Sequence, residues 1–316
     1  GTQAGNNLFH SFQQFSIPTG NTASFQHTPG IANIISRVTG FSVSNINGLI
    51  EVLQTGGNPS SANLFLINPN GIVFGANARL NIGGSFVAST ASSLKFADGT
   101  EFSATNPKAT SPLLTVSVPL GLQFGANPGR IVNRSRFVDA NGKTVGLSVK
   151  PEKTLALVGG EMELPGGILT TPSGRIELGS VASPGLVSLT PTATGFSLGY
   201  EGIQNFQDMT LSQAALVDTS GDAGGNIQLI GKNILLDKAN IFSDTKSQNG
   251  GSIFIQSQQL DLRGSSFVGT QTYGSGSGSD IAIATKKLFV QNGSRVATYT
   301  SAKGRAGAIT VNATDS

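Results

Sequence analysis

The chain has 316 residues, a formal net charge of +3, 42 glycines and 38% hydrophobic residues, with no cysteine and no tryptophan. The small charge, spread over scattered lysines and arginines, argues against a nucleic-acid partner, and the absence of cysteine excludes disulfides and thiolate metal sites. Many glycines with only 12% charged residues indicate short strands and frequent turns, and no apolar run approaches the roughly 20 residues of a membrane helix.

Two short elements come before any motif. Residues 8–17 have an apolar pattern that fits either a helix or a strand, and their glutamines and serines favour a strand that caps the open end of the fold. Residues 31–37 are the one segment that a helical turn would fit. We interpret the only two histidines, His10 and His27, as turn or surface residues.

Residues 63–75 contain the clearest local signal, two short apolar runs on either side of Asn68-Pro69-Asn70-Gly71. Pro69 fixes its own φ and drives Asn68 toward extended geometry, while Asn70 and Gly71 tolerate positive φ. The segment therefore predicts a strand, a sharp corner and a second strand. A chain that turns a corner every few residues, without a long hairpin, winds into a coil.

Three stretches resemble a known family: RVTG at residues 37–40, LFLINPNGI at residues 64–72 and GSFVAST at residues 84–90. Together they resemble the filamentous haemagglutinin-type N-terminal secretion domain of two-partner secretion exoproteins. The resemblance covers about residues 8 to 104 and is nearest to the branch of high-molecular-weight adhesins and cyanobacterial exoproteins. The family's second motif, Asn-Pro-Asn-Leu, has no counterpart between residues 17 and 46, so its role is not carried over.

The resemblance implies a function in secretion. In this family the domain is held unfolded in the periplasm, where the periplasmic recognition domains of a dedicated outer-membrane β-barrel transporter (TpsB type) bind it. Once outside, it folds and templates the downstream β-helix of the same exoprotein. The resemblance thus implies a protein secreted by, or on the surface of, a bacterium of Gram-negative type, with cyanobacteria as one source. It assigns the secretion motif to Asn68, Pro69, Asn70, Gly71 and Ile72, with supporting positions at Arg37, Asn63, Gly84 and Phe86.

Two interpretations of the motif stay open. In the first, which we favour, it is a buried corner whose asparagine side chains bond the backbone and fix the register of the first coils. In the second, the motif contacts the transporter directly.

The last hundred residues contain a repeat that can be aligned directly. Its first column has spacings of 26, 28 and 28 residues and consists of Ile227, Ile253, Ile281 and Ile309. Further columns are Leu229, Ile255, Ile283 and Val311; Ile234, Leu260 and Leu288; Leu236, Leu262 and Val290; and, on a third side, Phe242, Val268 and Val296. Because alternate side chains of a strand point inward, the columns predict ladders stacked about 4.8 Å apart in a triangular coil.

We therefore expect an all-β fold, a parallel β-helix with three strands per coil, which the family resemblance implies to be right-handed. Residues 1–104 would form the secretion core with an N-terminal cap, and residues 105–200 would add extra-helical strands or hairpins, including a strand within 112–125. Residues 201–316 would form regular coils that continue in a longer protein. We expect a monomer.

No stretch predicts a catalytic, cofactor or metal site. The best acidic pair is Asp218 and Asp244, 26 residues apart, but the positions aligned with them, Thr270 and Thr298, are neutral. We interpret both aspartates as turn formers. Residues 273–280 resemble a dinucleotide fingerprint, yet a strand follows where that motif requires a helix, so we interpret them as a flexible loop.

The leading hypothesis is a secretion-targeting domain. A second is an adhesin or glycan-binding β-helix, and a third, less favoured, is a polysaccharide lyase or hydrolase, which would need clustered acids with a basic partner.

Overall fold

The computed structural model describes residues 1–107 and 115–315, and every regular element in them is a β-strand. None of these residues belongs to a helix that could cross a membrane. The strands wind into stacked coils, each with up to three strands, and strands of successive coils pair in parallel. The predicted all-β, parallel β-helix fold is confirmed.

Coils 1 to 3 lie at the N-terminal end. They begin with a strand that pairs antiparallel with the first coil. The strands are β1 (Thr2–Ala4); β2 (Asn7–Phe12) and β3 (Thr22–His27) in coil 1; β4 (Asn33–Val38), β5 (Ser44–Ile46) and β6 (Leu49–Gln54) in coil 2; the short β7 (Asn58–Pro59); and β8 (Asn63–Ile67), β9 (Ile72–Phe74) and β10 (Arg79–Asn81) in coil 3.

Coils 4 to 6 carry strands that leave the coil and return to it. Coil 4 contains β11 (Phe86–Ser89), the excursion β12 (Ser93–Phe96), β13 (Glu101–Ser103) and β14 (Pro119–Phe124), then β15 (Ile131–Asn133) and β16 (Leu147–Ser148). Coil 5 contains β17 (Thr154–Gly159), β18 (Met162–Pro165) and β19 (Ile168–Thr170). Coil 6 contains β20 (Arg175–Ser180), the excursion β21 (Gly185–Pro191) and β22 (Phe196–Gly199), then β23 (Met209–Ser212) and β24 (Leu216–Asp218).

Coils 7 to 9 are regular. Their strands are β25 (Asn226–Ile230), β26 (Asn233–Asp237) and β27 (Asn240–Phe242); β28 (Ser252–Gln256), β29 (Gln259–Arg263) and β30 (Phe267–Thr272); and β31 (Asp280–Thr285), β32 (Lys287–Val290) and β33 (Arg295–Thr300). β34 (Ile309–Ala313) pairs with β31 and begins the next coil.

The coil has three faces. The first face runs β2-β4-β8-β11-β17-β20-β25-β28-β31-β34, the second runs β5-β9-β15-β18-β23-β26-β29-β32, and the third consists of β3-β6-β10 followed by β16-β19-β24-β27-β30-β33. Side chains that point inward stack in register along each face. One such column on the first face, in which each member is at most 1% exposed, is Ile34, Leu64, Phe86, Leu155, Ile176, Ile227, Ile253 and Ile281.

The repeat columns predicted for the first and second faces are confirmed, but the third was misaligned by one residue. Val268 pairs with Ile241, which is fully buried, and Phe242 points outward and pairs with Gly269. The turn before β27 is one residue shorter than the turn before β30, since two residues separate Asp237 from Asn240 and three separate the corresponding strands of the next coil. A one-residue shift in a strand reverses which side chains face the core.

Two other predictions for the N-terminal coils were wrong. Residues 33–38 form the central strand β4 and no helical turn, because all six of its residues are buried between neighbouring strands. His27 is 5% exposed, with Nε2 lying 2.7 Å from Ser60 Oγ and Nδ1 2.7 Å from Thr28 O. His10 is half-buried, and burial, followed by the nearby N-terminal amine, lowers its pKa to about 4.

The excursions form an antiparallel outer sheet, β13-β12-β14-β21-β22, against the outer side of the first face. The first-face strands of coils 2 to 5 are therefore buried on both sides, which explains why a run such as residues 64–67 is continuously apolar. Within the strand predicted over 112–125, Pro119 is the first residue of β14, a position where proline is tolerated. Residues 112–114 of that prediction lie outside the described residues.

A carboxylate is buried where the outer sheet meets the coil. Glu177 on β20 is 0% exposed, and its Oε1 bonds Arg175 Nη1 at 3.1 Å. Its Oε2 and the hydroxyl of Tyr200, which follows β22, are both buried without a partner among the described residues. Burial raises the pKa of Glu177 to about 7, against the opposing effect of Arg175. The charged form of Glu177 is therefore costly in the folded protein.

This burial predicts a specific pH dependence of stability. The folded-state pKa of Glu177 lies above the unfolded value of 4.5. The free energy of unfolding is therefore highest below that pH and falls by about 3 kcal/mol as pH rises through about 7. Denaturant unfolding of wild type and Glu177→Gln at about pH 4.5 and about pH 8 isolates this effect, since the other titrating groups cancel. The prediction is contradicted if wild type and Glu177→Gln differ by the same free energy of unfolding at both pH values.

Candidate functional site

The corner predicted from the motif is present in coil 3, where residues 68–71 carry the chain from β8 on the first face to β9 on the second. The turn is closed by Gly71 N, which donates to Asn68 O at 3.1 Å. Asn68, Gly71 and Ile72 are buried, and Pro69 and Asn70 are half-buried. Gly71 has φ of +126°, a conformation that residues with a side chain rarely adopt.

Asn68 uses its whole side chain to hold the corner. Its Nδ2 donates to Ser42 O at 3.0 Å and to Ser44 Oγ at 2.9 Å. Its Oδ1 accepts from the backbone N and the Nδ2 of Asn70, at 3.0 and 2.9 Å. A primary amide has two donors and two acceptor positions, so the full capacity of this fully buried group is satisfied.

Asn70 makes the second link to the coil below. Its Nδ2 donates to Gly40 O at 2.7 Å. The two amides therefore bind residues 40–44, the corner of coil 2 that precedes β5. This corner lies within residues 17–46, where the sequence has no Asn-Pro-Asn-Leu motif. It provides the backbone carbonyls of Gly40 and Ser42 as hydrogen-bond acceptors.

Coil 4 covers the corner from the other side. Gly129 N donates to Pro69 O at 2.9 Å, and Ile72 N donates to Arg130 O at 3.1 Å. A Cβ on Gly129 would overlap the backbone of Asn70, so the close contact requires glycine. The corner is thus fixed between coil 2 and coil 4.

Arg37 joins the outer sheet to the first coils. It lies on the outer side of β4, 8% exposed, and its Nε donates to Ser11 Oγ at 2.7 Å in coil 1. One guanidinium nitrogen donates to Ser103 O at 2.5 Å, and its Cζ lies 4.0 Å from the centre of the Phe102 ring, both at β13. Burial lowers the pKa of this guanidinium. Arg37 therefore fixes the first excursion to coils 1 and 2.

Asn63 belongs to a ladder of amides that the sequence analysis missed. Asn33 Nδ2 donates to Asn7 Oδ1 at 2.9 Å, Asn63 Nδ2 donates to Asn33 Oδ1 at 3.0 Å, and Ser85 N donates to Asn63 Oδ1 at 2.8 Å. These residues start, or directly precede, the first strands of coils 1 to 4. The signal was present, since each asparagine precedes an apolar run, but spacings of 26 and 30 residues concealed the repeat.

Gly84 and Phe86 complete the predicted set and lie away from the corner. A Cβ on Gly84 would come within 2.5 Å of Ala62 O, so this entry to β11 is a close approach of two coils. Phe86 is fully buried on β11 and packs edge-on against Phe74, with ring centres 6.2 Å apart. Both residues therefore support the packing of coils 3 and 4.

The acidic pair is not an aligned pair. Asp218 pairs in register with Phe242, whereas Asp244 lies beside Gln271 one coil further on, so the two aspartates are diagonal neighbours. Asp218 Oδ1 accepts from Ser220 N at 2.8 Å, which is a turn contact. Burial raises the pKa of Asp244, and the charge of Asp218 adds to the rise. Among residues 1–107 and 115–315, no group of three acidic or histidine side chains could hold a metal ion.

The chain is similar to secretion domains. A family model described as TPS secretion domain matches residues 1–229. The crystal structure of the HMW1 secretion domain from Haemophilus influenzae is similar at 16% identity and a TM-score of 0.45, covering 98% of this chain and 96% of that one. The filamentous hemagglutinin secretion domain is similar at 17% identity and a TM-score of 0.45, covering 98% and 91%. No curated protein matches the chain.

The geometry of the corner predicts unequal effects of the two asparagines on stability. Asn68→Ala removes four hydrogen bonds and leaves Ser42 O and Ser44 Oγ without that donor, so we expect a loss of about 2–4 kcal/mol in the free energy of unfolding. Asn70→Ala should cost about 1–2 kcal/mol. Denaturant unfolding measures both, and Asn81→Ala on β10, whose side chain is exposed, is the control. Equal effects at all three positions would contradict the assigned contacts.

Proposed function

Because the chain belongs to the TPS secretion domain family, we propose that its first coils are the part that a dedicated outer-membrane β-barrel transporter with periplasmic recognition domains binds. TPS secretion domains target exoproteins of Gram-negative bacteria for secretion and are not enzymes. The partner is thus of the TpsB type that the sequence resemblance implies. The cyanobacterial source stays a prediction.

The observation that carries the proposal is the satisfied, buried amide of Asn68. In the folded protein this side chain has no exposed surface and no remaining hydrogen-bonding capacity. A partner could therefore contact it only before coil 3 closes on coil 2. The motif acts on secretion chiefly by fixing this closure, and the transporter binds the chain while it is still extended.

Closure at the corner can drive the later steps. Each coil of a solenoid buries its apolar face on its neighbour, so folding propagates from a formed end. Side-chain hydrogen bonds through Asn68, Asn70 and Asn63 join coils 2 to 4 to one another. Once they form outside the membrane, each emerging coil docks on the last, which opposes return of the chain into the transporter.

The same proposal assigns roles along the chain. Residues 1–104 act as the secretion core with β1 and the first coil as its cap, residues 105–200 add the outer sheet, and residues 201–316 extend the coil toward a downstream β-helix. We propose that the folded chain is a monomer.

A secretion assay on four variants tests the proposal. In cells that co-express the transporter, Asn68→Ala and Asn70→Ala should reduce the secreted amount, while Asn81→Ala, an exposed asparagine on the same coil, should not. Gly129→Ala leaves the motif intact but forces coil 4 away from Asn70. If fixing the corner between coil 2 and coil 4 is the step that matters, Gly129→Ala reduces secretion too.

The variants separate closure from direct recognition. If Gly129→Ala is secreted normally while Asn68→Ala is not, the transporter binds the asparagines themselves. That result would contradict the proposal that the motif acts by closing the corner. If the Asn68→Ala, Asn70→Ala double variant is secreted normally, the motif has no role in secretion.

A further inference from the structure

The outward side of the third face has a patterned surface in coils 7 to 9. Three strands, β27, β30 and β33, lie in register there, and their outward positions form rows. The middle row consists of Phe242, Gly269 and Ala297, with the glycine at its centre. A groove of about 470 Å³ lies on this surface, and its lining includes Phe242, Phe267 and Tyr299.

An aromatic ring covers the floor of this groove. Phe267 lies on β30 two residues before Gly269, and a Cβ on Gly269 would overlap its ring. The ring therefore lies over the glycine and along the strand. Phe242 and Tyr299 flank it, with ring centres 5.5 and 6.3 Å away, and Arg295 Cζ lies 5.7 Å from its centre. Three aromatic residues from three successive coils thus form a platform in which the Phe242 and Tyr299 rings are tilted by 54° and 33° to the Phe267 ring.

Hydrogen-bonding groups line one side of the platform. Asp244 is half-buried, and its Oδ1 accepts from Gln271 N at 2.8 Å, which fixes the carboxylate in the groove. Tyr273 Oη donates to Gln271 Oε1 at 2.9 Å. Tyr299 is 45% exposed and Tyr273 is 51% exposed. Because a carboxylate has about four acceptor positions, Asp244 keeps capacity for ligand hydroxyls.

The fold does not require this arrangement. The inward residues of the same strands, including Ile241 and Val268, already provide the core. The groove lies in coils 7 to 9, far along the chain from the corner of coil 3. Its acids, Asp244 and the neighbouring Asp218, are accompanied by Arg295, so the groove has no strong net charge of either sign.

We propose that this groove binds a neutral oligosaccharide. A pyranose ring has an apolar face of C–H groups and a rim of hydroxyls, and the groove offers an aromatic floor with carboxylate, amide and phenol groups beside it. The three rings belong to successive coils about 4.8 Å apart, so a sugar chain that lies on them crosses several coils. The site is independent of the proposed secretion step.

Titration calorimetry of the folded 316-residue chain tests the site, with cellohexaose, xylohexaose and mannohexaose as probes. At least one hexaose should bind. Gly269→Ala should displace the Phe267 ring without adding a polar group or changing a left-handed residue, and Tyr299→Ala should remove one side of the platform. We expect each to weaken binding at least about fivefold.

Phe289→Ala is the matched control. Phe289 lies in the same coil as Tyr299 and is 44% exposed, but on the second face. Its removal should change affinity less than about twofold. Thermal unfolding checks that the variants are folded. Absence of binding to all three hexaoses at millimolar concentration would overturn the proposal, and so would binding that Gly269→Ala and Tyr299→Ala leave unchanged.

Discussion

Each coil of this protein pairs its strands with the coils directly before and after it and stacks its inward side chains on theirs. Parallel pairing in register repeats from β2 to β34 along the first face, so an error in one coil would pass to the next. In coils 2 to 4, side-chain hydrogen bonds between coils oppose such an error. The amides of Asn68, Asn70 and Asn63 bond specific atoms of the preceding coil, and a shifted register would leave them buried without partners.

This constraint connects the fold with secretion. Asn68 and Asn70, the asparagines of the predicted secretion motif, bond the preceding coil, and little of either residue lies on the surface of the folded domain. In the proposed function the domain crosses a membrane unfolded and folds afterwards, so it needs a reliable first coil more than a rigid binding surface. The outer sheet serves the same end, because it covers the first face of the early coils and is fixed to them through Arg37.

The sequence predicted the parts of this fold that depend on local chemistry. The corner at residues 68–71 follows from proline and glycine geometry, and the columns through Ile227 and Ile234 follow from a repeat with near-constant spacing. Phe242 was misplaced because a turn one residue shorter than its neighbours reverses the face of a strand. The outer sheet joins β14 to β21 across some sixty residues, and no local pattern specifies such a long-range partner.

The candidate site residues divide in the same way. Asn68 and Asn70 were proposed from their motif, but the backbone carbonyls of Gly40 and Ser42 that accept from them belong to any residue, so the sequence does not indicate these acceptors. His27 was interpreted as a turn or surface residue because no sequence pattern indicates its contact with Ser60, which lies one coil away. The groove on the third face was also missed, since its rows become visible only when the register of β27 and β30 is known.

We propose that folding starts at the corner of coil 3 and proceeds toward the C-terminal coils. Pulsed hydrogen exchange during refolding, followed by mass spectrometry, measures this order. We expect the amides of β4, β5, β8 and β9 to gain protection first, followed by those of β25 to β30. Earlier protection of β25 to β30, or simultaneous protection of both groups, would contradict it.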